Sequence, residues 1–257
     1  LPQWTWSAVA GGVRYGVYLD GASQGHVLPS EPPGVPLAWA PAEGAELAEG
    51  RHYLQVTAIN DLGNESEKSA PGFVDIDLTP PAVPQMQALP KFTNKDEVLF
   101  QWEAEADAVR FMLRYVVGDE DHAEVSVGVK KYALGISALD DGAIIQAMVR
   151  AFDEAGNAGD WSGAVSTTID RTGPNVKILE PTAETHTNGR RPVWKWSAED
   201  GTSPARDYRV TLAPEGRAES TFWQKSMEFA PVSDLAPGTY VLKVAARDEL
   251  GNIGGEQ

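Results

Sequence analysis

The chain has 257 residues, no cysteine and a formal net charge of −16. Without thiols, a disulfide scaffold, a Cys-ligated zinc site and a thiol nucleophile are excluded. The charge divides as −7 over 1–80, −7 over 81–172 and −2 over 173–257, and so acidic a surface argues against nucleic-acid and anionic-membrane partners.

No apolar run reaches the length of a membrane span. Trp4-Thr5-Trp6 places aromatics at i and i+2, on one face of a strand, and Tyr15-x-Val17-x-Leu19 keeps the same period-two alternation. Asp20-Gly21 is hairpin-turn chemistry. Leu47-Ala48-Glu49-Gly50 reads as a corner where the chain changes sheet. Val56 to Asn64 then reads as a strand ending in an acidic turn closed by Gly63-Asn64. The linker Asp77-Leu78-Thr79-Pro80-Pro81 is stiffened by proline.

The same order then recurs. Phe100-Gln101-Trp102, Phe111-x-Leu113-x-Tyr115, Leu139-Asp140-Asp141-Gly142 and Val149 to Asn157 lead to a second linker, Asp170-Arg171-Thr172-Gly173-Pro174. A third round contains Trp194-Lys195-Trp196, Tyr208-x-Val210-x-Leu212, Leu235-Ala236-Pro237-Gly238 and Val244 to Asn252. The closing Gly-Asn recurs at offsets of 93 and 95 residues, the size of one small sandwich. In the third round the two aromatic strands stand twelve residues apart instead of nine, an insertion in the loop between them. Tyr240, two residues past the corner glycine, fits a tyrosine corner; the equivalent positions are His52 and Ile145.

These features predict an all-β chain of three tandem immunoglobulin-like sandwiches over 1–78, 82–171 and 174–257. The first has no strand before Trp4, and the third stops five residues after Asn252, where a last strand is due. The first and last are therefore expected to be incomplete, excerpted from a longer chain. The alternative is an open edge that accepts a partner's strand.

The chain resembles tandem fibronectin type III-like and bacterial immunoglobulin-like repeats. The resemblance rests on the Ala-x-Asp-x-x-Gly-Asn hairpins Ala151 to Asn157 and Ala246 to Asn252, and on the two Asp-x-Thr-x-Pro junctions. It spans essentially the whole chain. It implies the fold, and for function it implies a spacer, an adhesin or an accessory module.

The acidic turns and junctions offer candidate metal ligands. Asp61, Asp77, Asp153, Asp170 and Asp248 supply the oxygens that calcium favours. Asp and Asn also cap tight turns by bonding their own backbone, and no stretch carries an EF-hand ligand series. Structural turns with no cofactor are the expectation, and calcium is the alternative. Trp39, Trp161 and Trp223 fall outside the paired core positions and are candidates for stacking on sugar rings, with packing inside their own sandwich as the plainer reading. His26, His52, His122 and His186 are scattered without metal-ligand spacing, and Asp119-Glu120-Asp121 reads as a solvated hairpin tip, so no enzyme is expected.

The expected function is a non-catalytic spacer or adhesion module of a bacterial cell-surface, periplasmic or exported protein. It would form a semi-rigid rod joined to further domains of the same chain, with a protein or glycan partner. Two alternatives stand beside it: an accessory carbohydrate-binding region of a secreted hydrolase, and a module that uses the third sandwich's open edge to bind a partner.

Overall fold

Alternating aromatics bury together because a strand turns every second side chain to the same face. In this chain that rule builds sheet pairs around aromatic cores. The computed structural model describes residues 2–29, 34–118, 120–121, 124–181 and 185–257, with 120–121 described by backbone alone. Asp119 and His122 lie outside the described residues. Among the described residues the regular structure is entirely β. The chain divides into two compact units, Leu1–Pro81 with Phe152–Ala158, and Ala82–Ala151 with Gly159–Gln257.

In the first unit, β1 (Trp4–Trp6) pairs antiparallel with β4 (Leu37–Trp39), setting Trp4 opposite Trp39. The facing sheet runs β3 (Ala22–Val27), β2 (Arg14–Leu19), β5 (Gly50–Ile59) and β6 (Gly72–Ile76), antiparallel throughout. Tyr15, Val17, Leu37, Leu54 and Ile59 are buried, and Trp6 meets Tyr15 edge to face at 6.3 Å. Such a pair adds about 0.5–1.5 kcal/mol beyond the area it buries.

The second unit holds two successive strand sets. The first set comprises β7 (Gln85–Met86), β8 (Phe92–Thr93), β9 (Glu97–Glu103), β10 (Arg110–Val117), β11 (Glu120–Asp121), β12 (Val125–Val127), β13 (Lys131–Gly135), β14 (Ile144–Phe152) and β15 (Val165–Ile169). One sheet is ordered β11-β10-β14-β15-β8, with β12 also on β10, and the other β13-β9-β7. Between them Phe100, Trp102, Phe111, Leu113, Ile145 and Val149 are buried, and Trp102 meets Phe111 edge to face at 5.5 Å.

The second set comprises β16 (Asn175–Glu180), β17 (Trp194–Glu199), β18 (Ala205–Pro214), β19 (Ser220–Gln224), β20 (Glu228–Phe229) and β21 (Tyr240–Asp248). Its sheets are β16-β17-β20 and β19-β18-β21. Trp194, Trp196, Tyr208, Val210 and Val244 fill the core, and Trp196 meets Tyr208 edge to face at 5.7 Å. The edge-to-face aromatic pair thus occurs in all three strand sets. The Tyr240 hydroxyl donates to Ala236 O at 3.0 Å, forming the tyrosine corner. Past the last hairpin the chain runs back along β21, where Val244 and Gln257 exchange both backbone hydrogen bonds. The strand sets are all-β and pair into immunoglobulin-like β-sandwiches.

Candidate functional site

Each Gly-Asn hairpin is organised by the side chain at the head of its turn. Asp153 Oδ1 accepts from Gly156 N (2.7 Å) and Asn157 N (2.8 Å), while Oδ2 accepts from Asn157 Nδ2 (2.8 Å). Asp248 repeats the pattern, taking Asn252 N on Oδ1 (2.8 Å) and Asn252 Nδ2 on Oδ2 (2.7 Å). In the first copy the head residue is neutral, and Asn60 Oδ1 accepts from Leu62 N and Asn64 N. The glycine of each turn has positive φ (84°, 95° and 93° at Gly63, Gly156 and Gly251), a region that side chains with a Cβ avoid. Burial acts to raise the Asp153 pKa, but the hydrogen bonds from Asn157 and the turn amides outweigh it and hold it below the usual carboxylate range.

The hairpin asparagine has a second role. Asn157 Nδ2 also donates to Asp77 O (2.9 Å) within the first unit, and Asn252 Nδ2 donates to Asp170 O (2.9 Å) within the second. One amide group therefore bridges its own hairpin and the carbonyl of an Asp-x-Thr-x-Pro linker. The linker threonines are fastened at their other side. Thr79 Oγ1 donates to Glu49 (2.8 and 2.9 Å), and Thr172 Oγ1 donates to Asp141 Oδ2 (2.7 Å). Glu49 and Asp141 both immediately precede the corner glycine, so the corner acid and the linker threonine form a repeated clasp.

The linker of the second unit is held by more than the clasp. Arg171 donates to Leu139 O and Ile136 O, both at 2.7 Å, and Asp170 N donates to Thr93 O at 2.9 Å. Asn94 Nδ2 reaches Asn252 Oδ1 (3.1 Å) and Leu250 O (3.3 Å), drawing the hairpin onto the turn after β8. Gly173 and Gly254 meet backbone to backbone. A methyl on Gly173 would overlap Ile253 and Gly254, and one on Gly254 would overlap Pro174.

This packing places three carboxylates together. Asp170 from the linker, Asp200 from the loop after β17 and Asp248 from the hairpin each offer an oxygen within 4.8 Å of the others. Asp170 and Asp248 are fully buried. Neither Asp170 oxygen has a hydrogen-bond partner, nor does Asp200 Oδ2. Ser203, 1% exposed, directs its hydroxyl toward Asp170 without forming a hydrogen bond of good geometry. Burial pushes the Asp170 pKa up; Ser203 offsets part of the rise, while Asp200, Asp248 and Asp141 add to it. Among the described residues none of the three forms an ion pair with Lys, Arg or His. An open cleft of about 490 Å³, lined by Asp200, Gly201, Thr172 and Gly255 among others, borders this cluster.

Of the five aspartates singled out in the sequence, Asp170 and Asp248 meet. Asp61 is exposed in the first turn, Asp77 Oδ1 caps Thr79 N (3.1 Å), and Asp153 serves its hairpin. Asp200 and Ser203 were not anticipated. They sit in the loop that carries the third round's insertion, and an acid in an insertion was the available signal. Each tryptophan has its neighbours within its own strand set. Trp39 packs on Trp4 at 5.8 Å, Trp161 has the Arg114 and Arg150 guanidinium groups over its ring at 4.8 and 4.7 Å, and Trp223, 40% exposed, has Arg247 over its ring at 4.1 Å. His52 bonds two acceptors, Asp20 Oδ2 (2.7 Å) and Ala48 O (2.8 Å), which favours the doubly protonated ring.

No protein-family model matches the chain, and no curated protein is similar to it in sequence. Among solved structures it is similar to the FN1–FN3 domains of chicken CNTN1, with 14% identity, TM-score 0.36, and 96% of this chain and 87% of that one covered. It is also similar to a chain of a 1.5-MDa bacterial ice-binding adhesin, with 18% identity, TM-score 0.48, and 95% and 82% covered. No helix among the described residues is long and apolar enough to cross a membrane.

Proposed function

We propose that the chain is a non-catalytic spacer or adhesion module of an exported or cell-surface protein, with sandwiches over 1–78, 82–171 and 174–257. The observation that carries this reading is the duplicated junction. In both linkers a threonine is clasped by a corner acid and an aspartate carbonyl is taken by a hairpin asparagine. A flexible tether between independent binding domains needs none of these contacts. A module that keeps its neighbours at fixed spacing does, because every fixed linker residue removes conformational freedom. The polar groups of the repeat are spent on turns and junctions, which supports a mechanical role over a chemical one. Its partners would be protein or glycan, met by loops that the sandwiches present.

Single-molecule stretching of the full chain tests this reading. A spacer unfolds in discrete steps, and Asn252→Ala lowers the force of the step that releases the second unit's linker. If linker extension precedes any sandwich unfolding and N252A leaves the trace unchanged, the spacer reading fails.

A further inference from the structure

The second unit contains a group of charges that its own side chains leave unbalanced. Asp170, Asp200 and Asp248 bring three carboxylates within 4.8 Å, two of them fully buried, with no cationic partner among the described residues. Burying like charges this close is costly unless they are protonated or share a counter-ion. The Asp248 oxygens each accept one hydrogen bond and keep free lone pairs, whereas the Asp170 oxygens and Asp200 Oδ2 accept none. The Ser203 hydroxyl is a separate indication. It is buried, neutral and unpartnered, and it faces Asp170.

We infer that Asp170, Asp200, Asp248 and the Ser203 hydroxyl form a binding site for a divalent cation, with calcium the best fit. Oxygens up to 4.8 Å apart are spanned by two calcium–oxygen bonds of about 2.3–2.6 Å. Magnesium, with bonds of about 2.0–2.1 Å and a strict octahedron, would have to draw the aspartates closer. The bordering cleft gives the ion a way in and leaves room for coordinated water beside Asp200. An ion there would tie the linker, the loop after β17 and the last hairpin to one centre. The site is particular to this junction: four residues past the tryptophan, where the third round has Asp200, the first two have Ala10 and Ala106.

The test is calorimetric titration and thermal unfolding of the full chain with calcium chloride, magnesium chloride or EDTA. Calcium binds with a stoichiometry of one at this centre and raises the midpoint of the second unit, by roughly 5–10 °C when calcium is a hundredfold above Kd. Asp200→Asn removes the shift while leaving the EDTA midpoint at or above that of the parent, because Asp200 lies outside the hairpin and relief of charge favours the ion-free fold. Asp61→Asn, at an exposed turn, keeps the full calcium response. Absence of calcium heat and of any midpoint shift in the parent chain overturns the inference, as does a shift of the same size in D200N. The spacer reading survives either result, since it rests on the Asn252 and Thr172 contacts.

Discussion

Gly254 is the most sensitive point of the second junction. Its φ lies outside the left-handed region, so alanine there carries no backbone strain, and the reduced freedom of the unfolded chain would favour it by about 0.4–1 kcal/mol. The obstacle is contact. The added Cβ would overlap Pro174 O, with Pro174 C at 2.8 Å and Gly173 C at 3.2 Å. These are backbone atoms, unable to rotate away as a side-chain end would. Overpacking costs about 1–3 kcal/mol where side chains can adjust, and a rigid backbone neighbour puts this site at the upper end. The net loss for Gly254→Ala is then about 2 kcal/mol, a fall of roughly 4–8 °C in the midpoint of a unit this size. Gly255 is the internal control, since its Cβ would meet nothing within 4 Å, and Gly255→Ala is expected to be neutral or slightly stabilising. Urea unfolding of the two variants, followed by near-ultraviolet circular dichroism, measures the difference. If G254A lies within about 0.5 kcal/mol of G255A, Gly173–Pro174 is not seated on the hairpin exit and the reasoning fails.

Asn252→Ala breaks bonds to Asp170 O and to the buried Asp248 carboxylate and should cost about 2–3 kcal/mol, read by urea denaturation; a loss under about 0.5 kcal/mol would contradict the bridge. Trp196→Ala removes a 2% exposed ring and its edge-to-face contact with Tyr208, a change expected to cost about 3–5 kcal/mol in the same assay. His52 titrates above its ordinary 6.5, first because of the hydrogen bond to Asp20 and then because of that to Ala48 O. Its contribution to stability is therefore full below pH 6.5 and fades as pH rises through the higher folded value. An NMR titration of the imidazole should give a pKa above 6.5 that drops in Asp20→Asn, and an unchanged value in that variant would remove the pairing from the account.

The fold was legible because its signals are local and periodic. Trp102 and Phe111 announce their strands by alternation, and the same spacing at Trp6 and Tyr15 repeats the statement one period earlier. Tyr240 was legible as a corner because the motif is short, a tyrosine two residues beyond Gly238 with a carbonyl close upstream. The site was legible only in part. Asp170 and Asp248 stand out by motif, but their meeting depends on how the linker folds back, which a sequence period does not encode. Asp200 and Ser203 sit in the loop that the third round lengthens, and the other rounds have alanine where it has Asp200, so repetition could not point to them. The hairpin asparagines read as turn residues, and their bonds to Asp77 O and Asp170 O cross about 80 residues of chain, a distance beyond any local rule.

The central claim is that the linkers are folded parts of the array, and amide hydrogen exchange of the intact chain tests it most directly. Arg171 N is bonded to Asp141 Oδ1, Asp170 N to Thr93 O and Gly254 N to Ala246 O. The account predicts that these amides exchange as slowly as those of β21, and that N252A speeds Asp170 and Arg171 while the β10 and β14 amides stay protected. Exchange of Asp170 and Arg171 at the rate of a free peptide in the parent chain would mean that the linker is a tether, and would contradict the account.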